Sequence, residues 1–211
     1  MTGRALSRRL DSDLTNYSIE DSDGGGITAT ETGLDWTDAL GNNNTDRVHR
    51  EFDDVSPVTN FFEIVIDSFV GSKDSTFDAF ISGFTVNDNL LDDEDFIGMI
   101  IGDGGDGVDN LAVYIINEGY GGTETFHDQD AATQVSSTTF GAGDTQSISI
   151  DYDFVSGSIT VHANGDSETQ SFDETKDWSW HQVIATMSAQ EFNYPGANSG
   201  KLTDYSFSDL S

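Results

Sequence analysis

Short apolar runs that alternate with polar residues recur along almost the whole chain, separated by clusters of glycine, asparagine and aspartate. Two runs fix the reading. In Phe62-Glu-Ile-Val-Ile-Asp67, Phe62, Ile64 and Ile66 fall on one side of an extended chain, and Glu63, Val65 and Asp67 fall on the other. In Ser147-Ile-Ser-Ile-Asp-Tyr-Asp-Phe154, Ile148, Ile150, Tyr152 and Phe154 alternate with Ser149, Asp151 and Asp153. A period of two with one apolar side marks a sheet buried on one face and wet on the other, as in an antiparallel sandwich.

On this pattern strands are expected over residues 15–20, 26–32, 47–53, 61–69, 77–86, 96–101, 111–117, 134–140, 146–153, 158–163, 169–172, 182–188 and 201–208. Gly41-Asn-Asn-Asn44, Asn87-Asp-Asn89 and Asn164-Gly165 are turn formers between them. Residues 36–40 fit one turn of helix, and no segment carries an amphipathic helix of useful length. At 211 residues, the chain has a length that all-β domains commonly reach undivided. We therefore expect an all-β fold, a single sandwich over residues 15–211, with an extended arm over residues 1–14.

Charge changes the picture of where such a sandwich works. The chain has 39 acidic and 8 basic residues, a formal charge of -31, and its only lysines are Lys73, Lys176 and Lys201. Such a chain repels itself in dilute buffer, where screening reaches about 10 Å at roughly 0.1 M salt, but only about 3 Å in molar salt. The composition fits a halophilic protein. Disorder is countered by an aromatic content of 11%, with 14 phenylalanines. A secreted calcium-binding protein would leave the scarcity of lysine unexplained. A nucleic-acid mimic would gather its acids in a stripe, whereas these are spread over the whole length, and no nucleic-acid partner is expected.

Cysteine is absent, so disulfides are excluded. The first ten residues have no apolar core of a secretory signal, and no run is long enough to insert in a membrane. Arg4, Arg8 and Arg9 concentrate basic charge at the start of an acidic chain. That asymmetry suits an arm docking on an acidic neighbour, the alternative being a frayed tail.

Candidate chemistry is sparse. Gly102, Gly104 and Gly107 spell a G-x-G-x-x-G. Asp103 and Asp106 stand where a phosphate would approach, and the β-branched run that follows reads as a strand, so the segment is a hairpin loop and not a dinucleotide cradle. Asp103, Asp106, Asp109 and Asn110 do offer oxygen ligands for Ca2+ or Mg2+, although the spacing is not that of an EF-hand and an acidic loop is the plain alternative. His49, His127, His162 and His181 are scattered, with no zinc or nucleophile motif. In Trp178-Ser-Trp180-His181 an extended chain would put both indoles on one side, with Tyr194 downstream, as a sugar-stacking site. The alternative is that tryptophan closes the edge of the core.

The stretch SISIDYDFVSGSITVHANG, two strands joined by a short hairpin, resembles the paired strands of concanavalin A-like lectin and glucanase domains, including laminin-G-type modules. GKLTDYSFSDL is similar to their final strand, which returns beside the first. The resemblance covers roughly residues 26–211 and implies a jelly roll of two curved antiparallel sheets. Glycan-hydrolysing members carry an E-x-D-x-x-E strand. The nearest approach here, Glu63-x-Val65-x-Asp67, has valine in place of the middle acid, so no catalytic residues are expected.

Taken together, these features lead us to expect a non-enzymatic virion structural protein of a haloarchaeal tailed virus, a capsid decoration, turret or tail-fibre subunit. It would be homo-oligomeric, meet other virion proteins through its arm, bind host surface glycans and require no cofactor. A cellular carbohydrate-binding module and a glycoside hydrolase of the same superfamily are the alternatives. The charge makes one prediction directly: the fold is lost on dilution below roughly 0.5 M salt, as screening weakens. Circular dichroism across a salt series checks this, and a cooperative fold persisting in dilute buffer would contradict it.

Overall fold

The computed structural model describes residues 12–21, 26–37, 45–52, 55–69, 78–88, 96–103, 110–117, 132–187 and 198–210. A 3-10 turn, Leu14–Asn16, precedes β1 (Ser18–Asp21), β2 (Ile27–Ala29), β3 (Leu34–Thr37), β4 (Thr45–Glu51), β5 (Val58–Phe69), β6 (Asp78–Thr85) and β7 (Phe96–Asp103). There follow β8 (Leu111–Asn117), β9 (Ala132–Gln134), β10 (Thr145–Asp153), β11 (Ser158–Ala163), β12 (Asp166–Ser171), β13 (Trp180–Met187) and β14 (Asn198–Asp209). The first sheet runs β1-β4-β13-β6-β7-β8-β9 and the second β12-β11-β10-β5-β14-β3-β2. Every strand pairing is antiparallel. The result is the expected all-β jelly-roll sandwich of two sheets. Among the described residues no helix is long and apolar enough to cross a membrane.

The alternation seen in the sequence decides which face is core. Phe62, Ile64 and Ile66 of β5 and Ile148, Ile150 and Tyr152 of β10 are buried, while Glu63, Val65, Asp67, Ser149 and Asp151 lie on the other side, half-buried or exposed. Facing them from the first sheet are Phe80, Phe84, Ile97, Met99, Ile101, Val113 and Val183, all buried in the same cluster. Leu14 and Tyr17 join this core, so the N-terminal segment packs into the sandwich from residue 14 onwards. The arm residues Arg4, Arg8 and Arg9 lie outside the described residues.

Three elements differ from expectation. Of the helical turn expected over residues 36–40, Trp36 and Thr37 belong instead to β3, whose Leu34 and Trp36 are buried while Asp35 and Thr37 are exposed, and residues 38–40 lie outside the described residues. Four residues are too few for alternation to stand out, yet Trp36 stacks on Phe80 of the opposite sheet at 5.7 Å. The strand expected over 134–140 stops at Gln134. Past it, Ser136 donates to Asp166 Oδ2 at 2.6 Å and accepts from the Thr138 N–H at 3.1 Å, diverting the backbone from the ladder. The last strand, β14, lies between β5 and β3, whereas β1 pairs with β4 in the other sheet.

A polar node sits inside the aromatic core. His181 of β13 is fully buried, with Nδ1 3.3 Å from the Tyr17 hydroxyl and 3.4 Å from that of Tyr205, and the two hydroxyls are 3.3 Å apart. Phe84 and Phe207 meet the imidazole edge-on at 4.8 and 5.0 Å. One ring thus ties the N-terminal segment, β13 and β14 together. Burial pushes the His181 pKa down to about 3, and its Nε2 has no partner.

On the outer face of the first sheet, Gly83 of β6 is directly opposite Gly98 of β7, and the Phe96 ring lies over both. A Cβ at Gly98 would collide with the Ser82 backbone oxygen and come within 2.7 Å of that ring, so Gly98→Ala should cost at least about 1–3 kcal/mol by overpacking, measured by chemical denaturation. His181 yields a prediction with a definite sign. Its native pKa lies below the ordinary 6.5, so the unfolded chain takes up a proton that the fold refuses. The stability linked to it is complete above pH 6.5 and is lost as pH falls towards 3. Wild type should therefore lose up to about 1.4 kcal/mol per pH unit relative to His181→Phe below roughly pH 6. Parallel pH profiles for the two proteins would contradict this.

Candidate functional site

The residues nominated for sugar stacking do not stay together. Between β12 and β13 the chain turns: the Asp173 carboxylate accepts from the Thr175 N–H at 2.9 Å and hydroxyl at 2.6 Å, and the Trp178 and Ser179 amides donate to Lys176 O and Asp177 O. Strand alternation therefore fails here, and the two indoles part. Trp178 is 2% exposed, donates its indole N–H to Asp173 O at 2.8 Å and meets Phe172 edge-on at 5.6 Å. It closes the core and has no face for a ligand, which corrects its nomination. Trp180 begins β13 on the outer face of the first sheet, half-buried and stacked on His49 at 5.8 Å with 25° between the rings. Tyr194 lies outside the described residues.

Of the candidate cation loop, Asp106 and Asp109 lie outside the described residues. Asp103 ends β7 and Asn110 precedes β8, and these strands are antiparallel neighbours, the arrangement of a hairpin connection. Asn110 Oδ1 is 3.5 Å from the Thr139 hydroxyl. Among the described residues no group of three or more acidic, histidine or cysteine side chains could hold a metal ion.

Around Trp180 a different set assembles. Val48 of β4 and Val183 of β13 point into the core, so Arg47, His49, Trp180 and Gln182 point outwards by alternation. His49 is directly opposite Gln182 in the β4–β13 ladder. The Arg47 side chain, 13% exposed, donates from Nε to Glu20 Oε2 at 2.6 Å. Its Nη1 donates to Gln182 Oε1 and to Asp88 O, each at 2.6 Å. Gln182 Nε2 in turn donates to Thr85 Oγ1 at 2.8 Å and to Asn87 O at 3.3 Å. Both ends of the buried amide are thus engaged, and its orientation is fixed.

His49 Nδ1 is buried without a partner. Burial, and then the charge of Arg47, holds the His49 pKa below its ordinary value despite the opposing pull of Glu20 and Asp88. The site is an aromatic platform backed by an imidazole, beside an arginine that Glu20, Asp88 O and the fully buried Gln182 hold in place. Arg47 and Gln182 went unnominated because each is an unremarkable polar residue in its own strand. The long-range pairing of β4 with β13 brings them together, and no local motif encodes that pairing.

No protein-family model matches the chain, and no curated protein does. Solved structures share its fold. A legume lectin-like domain from Entamoeba histolytica aligns with a TM-score of 0.57 at 14% identity, over 94% of this chain and 92% of that one. A family 7 alginate lyase in complex with product gives a TM-score of 0.57 at 14% identity, over 94% and 96%. The exoplasmic domain of VIP36, bound to Ca2+ and Man3GlcNAc, gives 0.54 at 10% identity, over 89% and 85%. The chain also matches a sialidase with a TM-score of 0.55 at 12% identity, spanning only 17% of that protein's length. The architecture is therefore the legume lectin-like, concanavalin A-like jelly roll.

Proposed function

We propose that this protein is a non-catalytic carbohydrate-binding module that takes a sugar ring against Trp180. The observation that carries the reading is the half-buried Trp180, backed by His49 at 5.8 Å and flanked by Arg47, which Glu20 and the buried Gln182 hold in place. A pyranose presents an apolar C–H face and a rim of hydroxyls, and it suits a flat aromatic surface beside polar groups of fixed orientation. Groups already held in place lose little entropy when they bind. VIP36 is named with Man3GlcNAc and the alginate lyase with its product, so the same architecture serves sugar ligands in those proteins.

Binding is favoured over catalysis by the placement of the acids. Glu63 and Asp67 flank Val65, which stands where the E-x-D-x-x-E strand of glycan-hydrolysing members carries its middle acid. Arg47, the cation nearest the platform, is already paired with Glu20 at 2.6 Å.

The charge of -31 favours a setting in high salt, and we assign the module to the surface of a haloarchaeal virion, reached through the basic arm. The short span of the sialidase match, 17% of that chain, favours a second setting, an accessory module of a larger cellular protein. Titration of neutral oligosaccharides in molar salt tests the shared claim. Trp180→Ala should weaken binding at least about tenfold, or 1.4 kcal/mol, with an unchanged melting temperature. Equal affinity in the variant would remove Trp180 from the site, and a wild type that retains no glycan would overturn the reading.

A further inference from the structure

The opposite face of the sandwich carries a cleft that the Trp180 site does not use. About 200 Å³ in volume, it lies on the outer face of the second sheet and is lined by Phe61, Ser147, Ser149, His162, Asn164 and Ser167, among others. Phe61 is 37% exposed and is an aromatic on the wet side of β5, where its neighbours are Glu63, Val65 and Asp67. Ser149 of β10 is directly opposite Phe61 on one flank and His162 of β11 on the other, and Ser167 of β12 is opposite His162. One row across four strands therefore reads ring, hydroxyl, imidazole, hydroxyl. The short serine between the two rings forms the floor, and two strand spacings, about 10 Å, separate the flanks.

The walls are fixed by their neighbours. Asp151 accepts from the Thr59 hydroxyl at 2.6 Å through Oδ1, and its Oδ2 is 3.1 Å from His162 Nε2. The carboxylate thus orients the imidazole. Ser147 donates to Glu63 at 2.9 Å. The rim is a tight hairpin, Asn164-Gly165, with φ of 55° and 83°, the left-handed pair that a two-residue turn of this kind requires.

Charge narrows the ligand. Asp166 lines the cleft, while Asp151 and Glu63 stand behind its histidine and serine. Among the described residues no arginine or lysine lines it, and Lys201, elsewhere on the second sheet, is paired with Asp35 at 3.2 Å. A carboxylate-bearing sugar would meet Asp166 at contact range, where even molar salt screens little, with no arginine or lysine to neutralise it, whereas an uncharged ring can stack on Phe61 and exchange hydrogen bonds with the serines and the imidazole. We propose that this cleft is a second binding site, independent of Trp180, for a single neutral pyranose unit. With sites on opposite sheets, one molecule would bridge two glycan chains.

The test isolates the cleft in a Trp180→Ala background. Methyl pyranosides of the gluco, manno and galacto series, and glucuronate, are titrated in molar salt against this protein and against it carrying Phe61→Ala or Ser149→Leu, with folding checked by thermal melting. At least one neutral pyranoside should bind, at least tenfold more weakly after either added substitution, and glucuronate should bind at least tenfold more weakly than that pyranoside. Binding of no neutral pyranoside, or binding indifferent to both substitutions, would overturn the proposal. Glucuronate binding as tightly would overturn the claim of neutrality. Loss of Trp180-dependent binding alone would leave this cleft standing, since the background already lacks that side chain.

Discussion

The packing of aromatic rings between the two sheets around Phe84 and His181 is the constraint on which both outer faces depend. Phe84 of β6 meets Tyr152 of β10 at 4.9 Å and His181 at 4.8 Å, and Tyr205 and Phe207 of β14 close the cluster at 5.6 Å from each other. With these rings seated, β13, β10 and β14 cannot slip by one residue, because a slip would turn every core side chain outwards and bring acids into the interior. The register that buries His181 also turns Trp180 and Gln182 outwards. In the same way, the register that buries Phe62 and Ile150 exposes Phe61 and Ser149.

This core is not apolar throughout. His181 Nε2, Tyr152 Oη and Asn60 Oδ1 are buried without partners, and each such group costs about 1–3 kcal/mol. Large aromatic surfaces offset that cost, since each ring buries roughly 150–250 Å². The Tyr17–His181–Tyr205 node also gives the N-terminal segment a fixed anchor, so that β1 lies beside β4 and Glu20 reaches Arg47. The Trp180 site is in this sense held from the inside: the N-terminal segment docked on the core supplies the acid that fixes Arg47, and Arg47 in turn holds Gln182.

Much of the fold was legible because burial on one face forces a period of two, which single strands such as β5, β10 and β11 display without help. The site was far less legible. Trp178 and Trp180 looked like a pair until the Asp173 turn rotated them apart, an effect of side-chain hydrogen bonding to the backbone that alternation does not carry. Phe61 carried a readable sign, an aromatic at a position of polar parity, but its meaning depended on Ser149 and His162, which arrive from strands far along the chain. Of the glycine motif expected as a loop, Gly102 and Asp103 belong to β7 while residues 104–109 lie outside the described residues, and its acids stand as a sequence proposal for a cation.

An acidic chain and two outward-facing aromatic side chains, Trp180 and Phe61, fit one physical picture. In molar salt the general repulsion would be screened, while the proposed recognition would rest on short-range stacking and hydrogen bonds that salt leaves intact. The most direct measurement is a map of backbone amide shifts during titration with a neutral oligosaccharide in molar salt. The account predicts saturable changes clustered on β4 and β13 around Arg47, His49, Trp180 and Gln182, with a second cluster on β5, β10 and β11. Unchanged amides in both clusters at saturating sugar, or changes confined to the sandwich ends away from them, would contradict it.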